Sequence, residues 1–109
     1  MDNCIFCKIV RHEIPKEFKY EDEHILAFDD IHPVAPFHVL VIPKKHIDEL
    51  CNLDNPEILN ALHNAVKVLI EKYNIMGKGY RIEINGGGAQ LVNHLHIHIM
   101  SPVKQATTH

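Results

Sequence analysis

No stretch of this 109-residue chain is apolar for long enough to cross a membrane. The longest runs, such as Val39-Leu40-Val41-Ile42, cover only a few residues. Nor does a charged-then-apolar leader with a small-residue cleavage site open the sequence, so an intracellular, cytoplasmic protein is expected. Basic excess is missing too. The formal charge is -3 and the pI is near 6.3, which leaves no positive field to hold a nucleic-acid backbone, so neither nucleic acid nor membrane is expected as a partner. Cysteines number only three, an odd count that argues against a disulfide framework. Repeats, linkers and low-complexity segments are absent, and the length predicts one domain, residues 1–109, around one core. Apolar residues at 46% and charged residues at 23% are ordinary globular proportions rather than those of a disordered chain.

Histidine is what the chain has in excess, with ten. Three of them alternate with aliphatic residues in His94-Leu95-His96-Ile97-His98. In an extended strand successive side chains point to opposite faces, so the imidazoles line one side while Leu95, Ile97 and Ile99 bury the other. A row of groups that titrate near neutrality is a poor choice for an ordinary half-buried strand. It reads as a catalytic strand, as a metal site, or as a histidine tract without chemistry. His12, His24, His32, His63 and His109 fit no such spacing and are expected on the surface.

Residues 3 to 11 predict a short helix with Ile5, Phe6 and Ile9 on one side, closed off by Pro15. Phe18 to Tyr20 and His24 to Phe28 read as short strands around the charged turn Glu21-Asp22-Glu23. Asp29 to Pro36 is a turn-rich loop, and Val39 to Ile42 a buried strand stopped by Pro43. The clearest element is a helix from Pro56, with Asn55 as N-cap and proline at the first helical position, where its missing N–H is harmless. Ile58, Leu62, Ala65, Val66, Leu69 and Tyr73 give it one apolar stripe. Beyond Gly77 and Gly79, Tyr80 to Asn85 alternates as a strand, and Gly86-Gly87-Gly88 forms a loop leading to the histidines. Three strands, a long helix, a strand, a loop and a strand predict an antiparallel sheet with one helix packed on it, an α+β domain.

A glycine run lets backbone N–H groups approach an anion such as phosphate. An imidazole nitrogen is a competent nucleophile toward phosphorus, and neighbouring imidazoles can donate to the non-bridging oxygens as charge develops. The pair Cys4-Ile5-Phe6-Cys7 has the spacing of a zinc site or of a redox dithiol. With no second such pair, a zinc ion needs two further ligands from elsewhere, and histidine is the available type. Read alone, Phe6, Ile9, Phe28 and Ile31 are core residues, Asp30 is a loop cap and His38 a structural histidine. Cys51 is expected to be a small buried hydrophobe.

His94-Leu95-His96-Ile97-His98-Ile99-Met100 resembles the signature of the histidine triad (HIT) superfamily. Cys4-Ile5-Phe6-Cys7-Lys8-Ile9, Phe28-Asp29-Asp30-Ile31, Ala35-Pro36-Phe37-His38, Val41-Ile42-Pro43-Lys44-Lys45-His46 and Gly79-Tyr80-Arg81 to Asn85 resemble blocks of its Hint-type branch of purine nucleoside phosphoramidases, so that residues 3 to about 100 match in order, with a short tail over 101–109. The resemblance implies a five-stranded antiparallel sheet with a long helix and a short N-terminal helix. It also implies a hydrolase or transferase that cleaves a purine nucleoside 5′-monophosphate such as AMP from an amine or phosphate leaving group. Hydrolysis of a dinucleoside polyphosphate, or regulatory nucleotide binding with little turnover, are the alternatives. His96 is then the nucleophile, His98 and His38 contact phosphate or order the pocket, and the carbonyl of His94 sets the tautomer of His96. Asn85, Gln90 and the N–H of Val92 hold phosphate or ester oxygens, and Asp30 takes the ribose hydroxyls. Phe6, Ile9, Ile14, Phe28 and Ile31 form the slot for the base. The resemblance further implies a structural zinc on Cys4, Cys7, His46 and His94, no catalytic metal, and a homodimer joined through the long helix and a strand.

Two features depart from that pattern. The loop from Asn85 to Gln90 is shorter, and Leu91 stands where the family commonly has Ser or Thr to pass a proton to a leaving amine. A leucine side chain has no hydrogen to donate, so a slower or altered phosphoramidase with intact nucleotide binding is expected. The tail after Met100 is short and lacks the longer aromatic and proline tail of animal relatives, so substrate selection by that tail does not carry over.

Overall fold

The computed structural model describes residues 3–105, so His109, one of the histidines expected on the surface, lies outside the described residues. Helix α1 (Ile5–Val10) is followed by strands β1 (Tyr20–Glu21), β2 (Ile25–Asp29) and β3 (Phe37–Pro43). Next come helix α2 (Pro56–Lys72) and strands β4 (Arg81–Ile84) and β5 (Ile97–Ser101). The five strands make one antiparallel sheet in the order β1-β2-β3-β5-β4. This is the α+β architecture that the sequence predicts.

Strand alternation divides the apolar side chains between two layers. Ile25 and Ala27 of β2, Val39 and Val41 of β3, and Ile97 and Ile99 of β5 meet the Ile58, Leu62, Ala65, Val66 and Leu69 stripe of α2. On the opposite face Leu26, Phe28, Leu40 and Ile42 meet Phe6 and Ile9 of α1. Burying one such large aliphatic or aromatic side chain contributes about 1.5–3 kcal/mol, so α2 with its wide stripe anchors one face and six-residue α1 covers part of the other. Asn55 caps α2 as expected, its Oδ1 accepting from the N–H groups of Glu57 and Ile58 at 2.9 and 3.2 Å. Gly79, at φ +76, closes the link from α2 to β4. A Cβ there would lie 2.0 Å from the Val103 carbonyl oxygen, so no other residue fits.

Several local expectations are corrected. The first strand starts at Tyr20 rather than Phe18, because Asp22 organises the turn by accepting from the N–H groups of His24 and Ile25, both at 2.8 Å. On the one-turn-and-a-half helix α1, Phe6 and Ile9 are buried but Ile5 is 46% exposed. Cys51 is exposed, on a single turn of tight helix at Leu50–Asn52. His24 is half-buried, with Nε2 3.7 Å from Glu57. All four residues of β4 are exposed, because β4 is the edge strand and its alternation has no covering layer within this chain. The histidine row is also only partly a strand. His98 lies in β5, while His94 and His96 precede it. Pro43 has no N–H to extend the β3–β5 ladder and its carbonyl accepts from His94 Nε2 at 2.8 Å, so Leu95 N–H turns to the Ile47 carbonyl at 2.6 Å instead. Among the described residues no helix is long and apolar enough to cross a membrane.

Candidate active site

The hydrogen bonds around the histidines settle where their protons sit. His96 Nδ1 lies 2.7 Å from the His94 carbonyl oxygen. A carbonyl only accepts, so Nδ1 carries the hydrogen and Nε2 keeps a lone pair. His38 Nδ1 accepts from Val34 N–H at 3.1 Å, which puts the hydrogen of this buried ring on Nε2, 2.9 Å from His98 Nδ1. His98 therefore accepts on Nδ1 and carries its own hydrogen on Nε2. Burial, and then the neighbouring His96 and His38, keep the His98 pKa below the usual histidine range, so the ring is a neutral donor. Asp30 Oδ2 lies 3.4 Å from His38 Nε2 and 3.9 Å from His98 Nδ1. That trio is close enough for a cation. The Val34 bond, however, commits the His38 Nε2 facing it to a proton, so the trio is a hydrogen-bond relay.

A nucleophile-competent lone pair on His96 thus stands beside a hydrogen-bond donor on His98, with ring centroids 5.0 Å apart. Both line a cavity of about 480 Å³. Its floor is apolar: Phe6, Ile9, Ile14 and Phe28, with the Phe6 and Phe28 rings edge to face at 5.6 Å. Asp30, Asn85 and Val92 line it as well, and Ile31, 76% exposed, forms its lip. A larger depression of about 640 Å³ runs along Lys45 to Asp48 and Asn52 to Asn55, but it lacks the His96–His98 pair, and the reactive groups assign the site to the smaller cavity.

A second cluster lies just behind the first. The thiols of Cys4 and Cys7 and the Nδ1 atoms of His46 and His94 all fall within 4.8 Å of one another. Cys7 Sγ is 3.2 Å from His46 Nδ1, and Cys4 and Cys7 are 3.3 and 3.6 Å from His94 Nδ1. Bond lengths of about 2.3 Å to sulfur and 2.0 Å to nitrogen make the S–N edge of a zinc tetrahedron about 3.5 Å, so the donor set fits. Because His94 gives its Nε2 hydrogen to Pro43, its Nδ1 lone pair faces the sulfurs. Burial first, and then the Cys4 thiol, raise the Cys7 thiol above its ordinary range.

Residues 3–109 match the family described as scavenger mRNA decapping enzyme C-term binding. The Neisseria gonorrhoeae protein HitA is 45% identical over 104 residues, which cover 92% of this chain and 96% of HitA. The solved structure of a HIT family hydrolase from Clostridium thermocellum superposes with a TM-score of 0.89 at 43% identity, covering 99% of this chain and 97% of that one. The chain belongs to the HIT superfamily. A histidine triad nucleotide-binding protein from Candida albicans also superposes, with a TM-score of 0.83 at 35% identity, over 89% of this chain and 73% of its own.

Within this HIT fold the glycine loop departs from expectation. Gly87 N–H donates to Glu49 Oε1 at 3.3 Å and Gly88 N–H to Gln90 Oε1 at 3.0 Å, and neither glycine lines the cavity. The loop therefore secures its own fold with the donors that its composition offers to phosphate. Gln90 is likewise turned away, its Nε2 directed to the Asp48 carbonyl and to Asn93 Oδ1. His38 sits behind His98 rather than on the cavity wall. Lys16 is the cation among the cavity residues that the sequence reading missed, which also include Ile5, Pro15, His32, Leu40 and Ala89. Its Nζ lies 5.3 Å from the Phe28 ring, and its position directly after Ile14-Pro15 was the available signal.

Acid is expected to loosen this HIT protein from the histidine row outward. Burial lowers the His94 pKa from 6.5 to about 4. Between those values the unfolded chain takes up a proton that the native ring refuses, so stability falls as the pH drops from 6.5 towards 4. The shift amounts to about 3 kcal/mol in all, and the lowered pKa of His98 acts in the same direction. Urea titrations of chelator-treated protein near neutrality and near pH ~4.5 measure it. Equal midpoints at the two pH values would contradict the assignment.

Proposed function

We propose that this HIT protein is a nucleotide-binding hydrolase that splits a purine nucleoside 5′-monophosphate from an amine or phosphate leaving group through a nucleotidyl intermediate on His96. The observation that carries the reading is the proton arrangement: His96 presents an unprotonated Nε2 and His98 a protonated one at the end of an apolar slot. In the first step the His96 Nε2 lone pair forms a bond to the α-phosphorus and the bond to the leaving group breaks, an amine taking up a proton from water at the open wall beside Leu91 as it departs. In the second, water attacks the same phosphorus, the P–N bond breaks, and His96 recovers its lone pair. His98 Nε2–H donates to a non-bridging oxygen as charge builds up, and Asn85 and the Val92 N–H support the other oxygens. The base lies between Phe6 and Phe28 and the aliphatic residues Ile9, Ile14 and Ile31. Asp30 accepts from the ribose hydroxyls, which its carboxylate can do while Oδ1 holds the His32 N–H at 2.8 Å.

Rapid mixing of enzyme with a radiolabelled adenosine phosphoramidate, followed by acid quench, tests the reading. Labelled protein that forms and decays at the rate of AMP release supports it. Tight AMP binding with no labelled protein favours a regulatory nucleotide-binding protein, the reading that Leu91 at the cavity wall keeps in view. Faster turnover of a dinucleoside polyphosphate than of the amidate favours the remaining alternative.

Cys4, Cys7, His46 and His94 would hold a structural zinc, which supplies a closed cross-link between α1, the segment after β3 and the approach to β5. A cytoplasmic setting, which keeps both thiols reduced, belongs to the same reading. We also assign a homodimer joined across β4 and the outer side of α2. Its support is the exposed edge of β4 and the apolar groove of about 340 Å³ formed by Val66, Ile70, Met76, Tyr80 and Ile82. Sedimentation at micromolar concentration is expected to give twice the chain mass, and doubly substituted Ile82→Lys/Ile84→Lys protein half of that.

A further inference from the structure

Lys16 is the only lysine or arginine among the described residues that line the His96 slot, and the chain before it explains its place. Ile14 packs against the apolar layer that holds Ile9 and Phe28, and Pro15 fixes the backbone angle that follows, so the next residue emerges beside Phe28. Lys16 is half-buried, and its Nζ stands 5.3 Å from the centre of the Phe28 ring. Among the described residues that ammonium has no hydrogen-bond or ion-pair partner. The neighbouring carboxylates are engaged elsewhere. Asp29 Oδ2 faces Lys19 Nζ at 3.6 Å, while Asp30 holds the His32 N–H and faces His38. A cation without a counter-charge, at the end of an apolar slot, stands ready for an acceptor on whatever fills that slot.

With the ribose at Asp30 and the phosphate at His96 and His98, the base enters between Phe6 and Phe28. The glycosidic bond ties N9 of a purine to the Asp30 side. The substituent at position 6 and the adjoining N7 edge then face away from the sugar, towards the Ile9, Ile14 and Phe28 end where Lys16 stands. An ammonium only donates. A 6-oxopurine offers it two adjacent acceptors, O6 and N7, whereas adenine offers N7 beside an amino group that is itself a donor. Two donors then meet, and the carboxylates that could accept from the amino group are the engaged Asp29 and Asp30.

We infer that Lys16 selects the base, and that the preferred substrates carry a 6-oxopurine, guanine or hypoxanthine, on the nucleoside 5′-phosphate. The inference deepens the nucleotidyl-His96 reading and rests on it. On its flexible stem the ammonium moves from the Phe28 face to the edge of the seated base and donates to O6 and N7. No bond is made or broken at Lys16. Its effect therefore falls on KM and on nucleotide affinity, and the rate at which bound substrate labels His96 is left to the histidines.

Four phosphoramidates of one amine separate the possibilities: those of guanosine, inosine, 7-deazaguanosine and adenosine. Each is compared in wild type, Lys16→Met and Lys16→Arg, with calorimetric titration of GMP and AMP as a measure of binding without turnover. Methionine keeps an unbranched stem beside Phe28 and arginine keeps the charge, and Lys16 holds no other group in place, so both variants fold as wild type does. Wild type is expected to favour guanosine and inosine over adenosine about tenfold in kcat/KM, mostly through KM, and to bind GMP more tightly than AMP by a similar factor. The 7-deaza compound, which lacks one of the two acceptors, is expected to fall between them. Lys16→Met is expected to bring guanosine, inosine and adenosine within about twofold of one another, and Lys16→Arg to keep the wild-type order. Adenosine turned over as well as guanosine in wild type overturns the inference. So does a guanosine preference that inosine does not share, which places recognition at the 2-amino group, or a Lys16→Met variant that slows every substrate alike. Each of these outcomes leaves the nucleotidyl-His96 reading standing, whereas absence of labelled protein with all four substrates overturns both.

Discussion

Replacing His96 by alanine is expected to lower kcat/KM for an adenosine phosphoramidate by about 10³-fold or more, a loss of about 4 kcal/mol in transition-state stabilisation. The size of the effect follows from the tautomers. Among the described residues three imidazoles line the slot, but His32 is exposed on the Asp30 turn, and His98 cannot replace His96, because its Nδ1 is engaged by His38 and its Nε2 carries a hydrogen. Removing His96 therefore removes the one aligned lone pair rather than one contributor among several. Affinity for AMP is expected to stay within a few-fold, since the base and ribose contacts come from Phe6, Phe28 and Asp30. Isothermal titration alongside the acid-quench assay measures both quantities. A His96→Ala protein that still becomes labelled would place the nucleophile elsewhere. His98→Ala provides the contrast: labelling persists, but more slowly, because a donor to the phosphate oxygens is lost while the nucleophile remains.

Loss of the Cys4–Cys7–His46–His94 cluster is expected to have the largest effect on stability. These four residues join three segments: the start of α1, the turn after β3 and the approach to β5. Helix α1 is only six residues long, too short to persist without tertiary support. Chelation of zinc, or Cys7→Ser, is expected to cost about 3 kcal/mol, which lowers Tm by roughly 12–20 °C in a domain of this size. Scanning calorimetry before and after chelation, with zinc added back, measures it. Protein purified without added zinc is expected to contain close to one equivalent of metal. Metal-free protein with an unchanged Tm would leave the cluster a set of thiol–imidazole hydrogen bonds. The cross-link also reaches catalysis, because His94 supplies both an Nδ1 to the cluster and the carbonyl that holds the His96 tautomer. Cys7→Ser is therefore expected to slow labelling of His96 as well as to lower Tm.

Features that depend on neighbours in the chain were legible from sequence. Asn55-Pro56 and the apolar repeat from Ile58 to Leu69 determine α2 because capping and helical periodicity act within a few residues. The unbroken apolar run Val39 to Ile42 marked a strand buried on both faces, since side-chain type is read locally. The triad spacing put His94, His96 and His98 on a common side even though only His98 lies within a strand. Tertiary structure decided what depends on partners far along the chain. The proton positions of His96 and His98 are set by a carbonyl and by His38, 60 residues from His98, and the distance from Cys7 to His46 spans 39 residues. The glycine loop looked like an anion cradle because its composition permits one, but Glu49, from 38 residues away, takes the Gly87 donor, and Gln90 within the loop takes that of Gly88. Cys51 looked buried by residue type, and its exposure follows from the turn on which it sits. Leu91 was recognisable in the sequence as a missing hydroxyl. Only the packing of α1 beside Val92 placed it, exposed, on the wall of the cavity that holds His96, because exposure and cavity walls are properties of surfaces that meet in three dimensions.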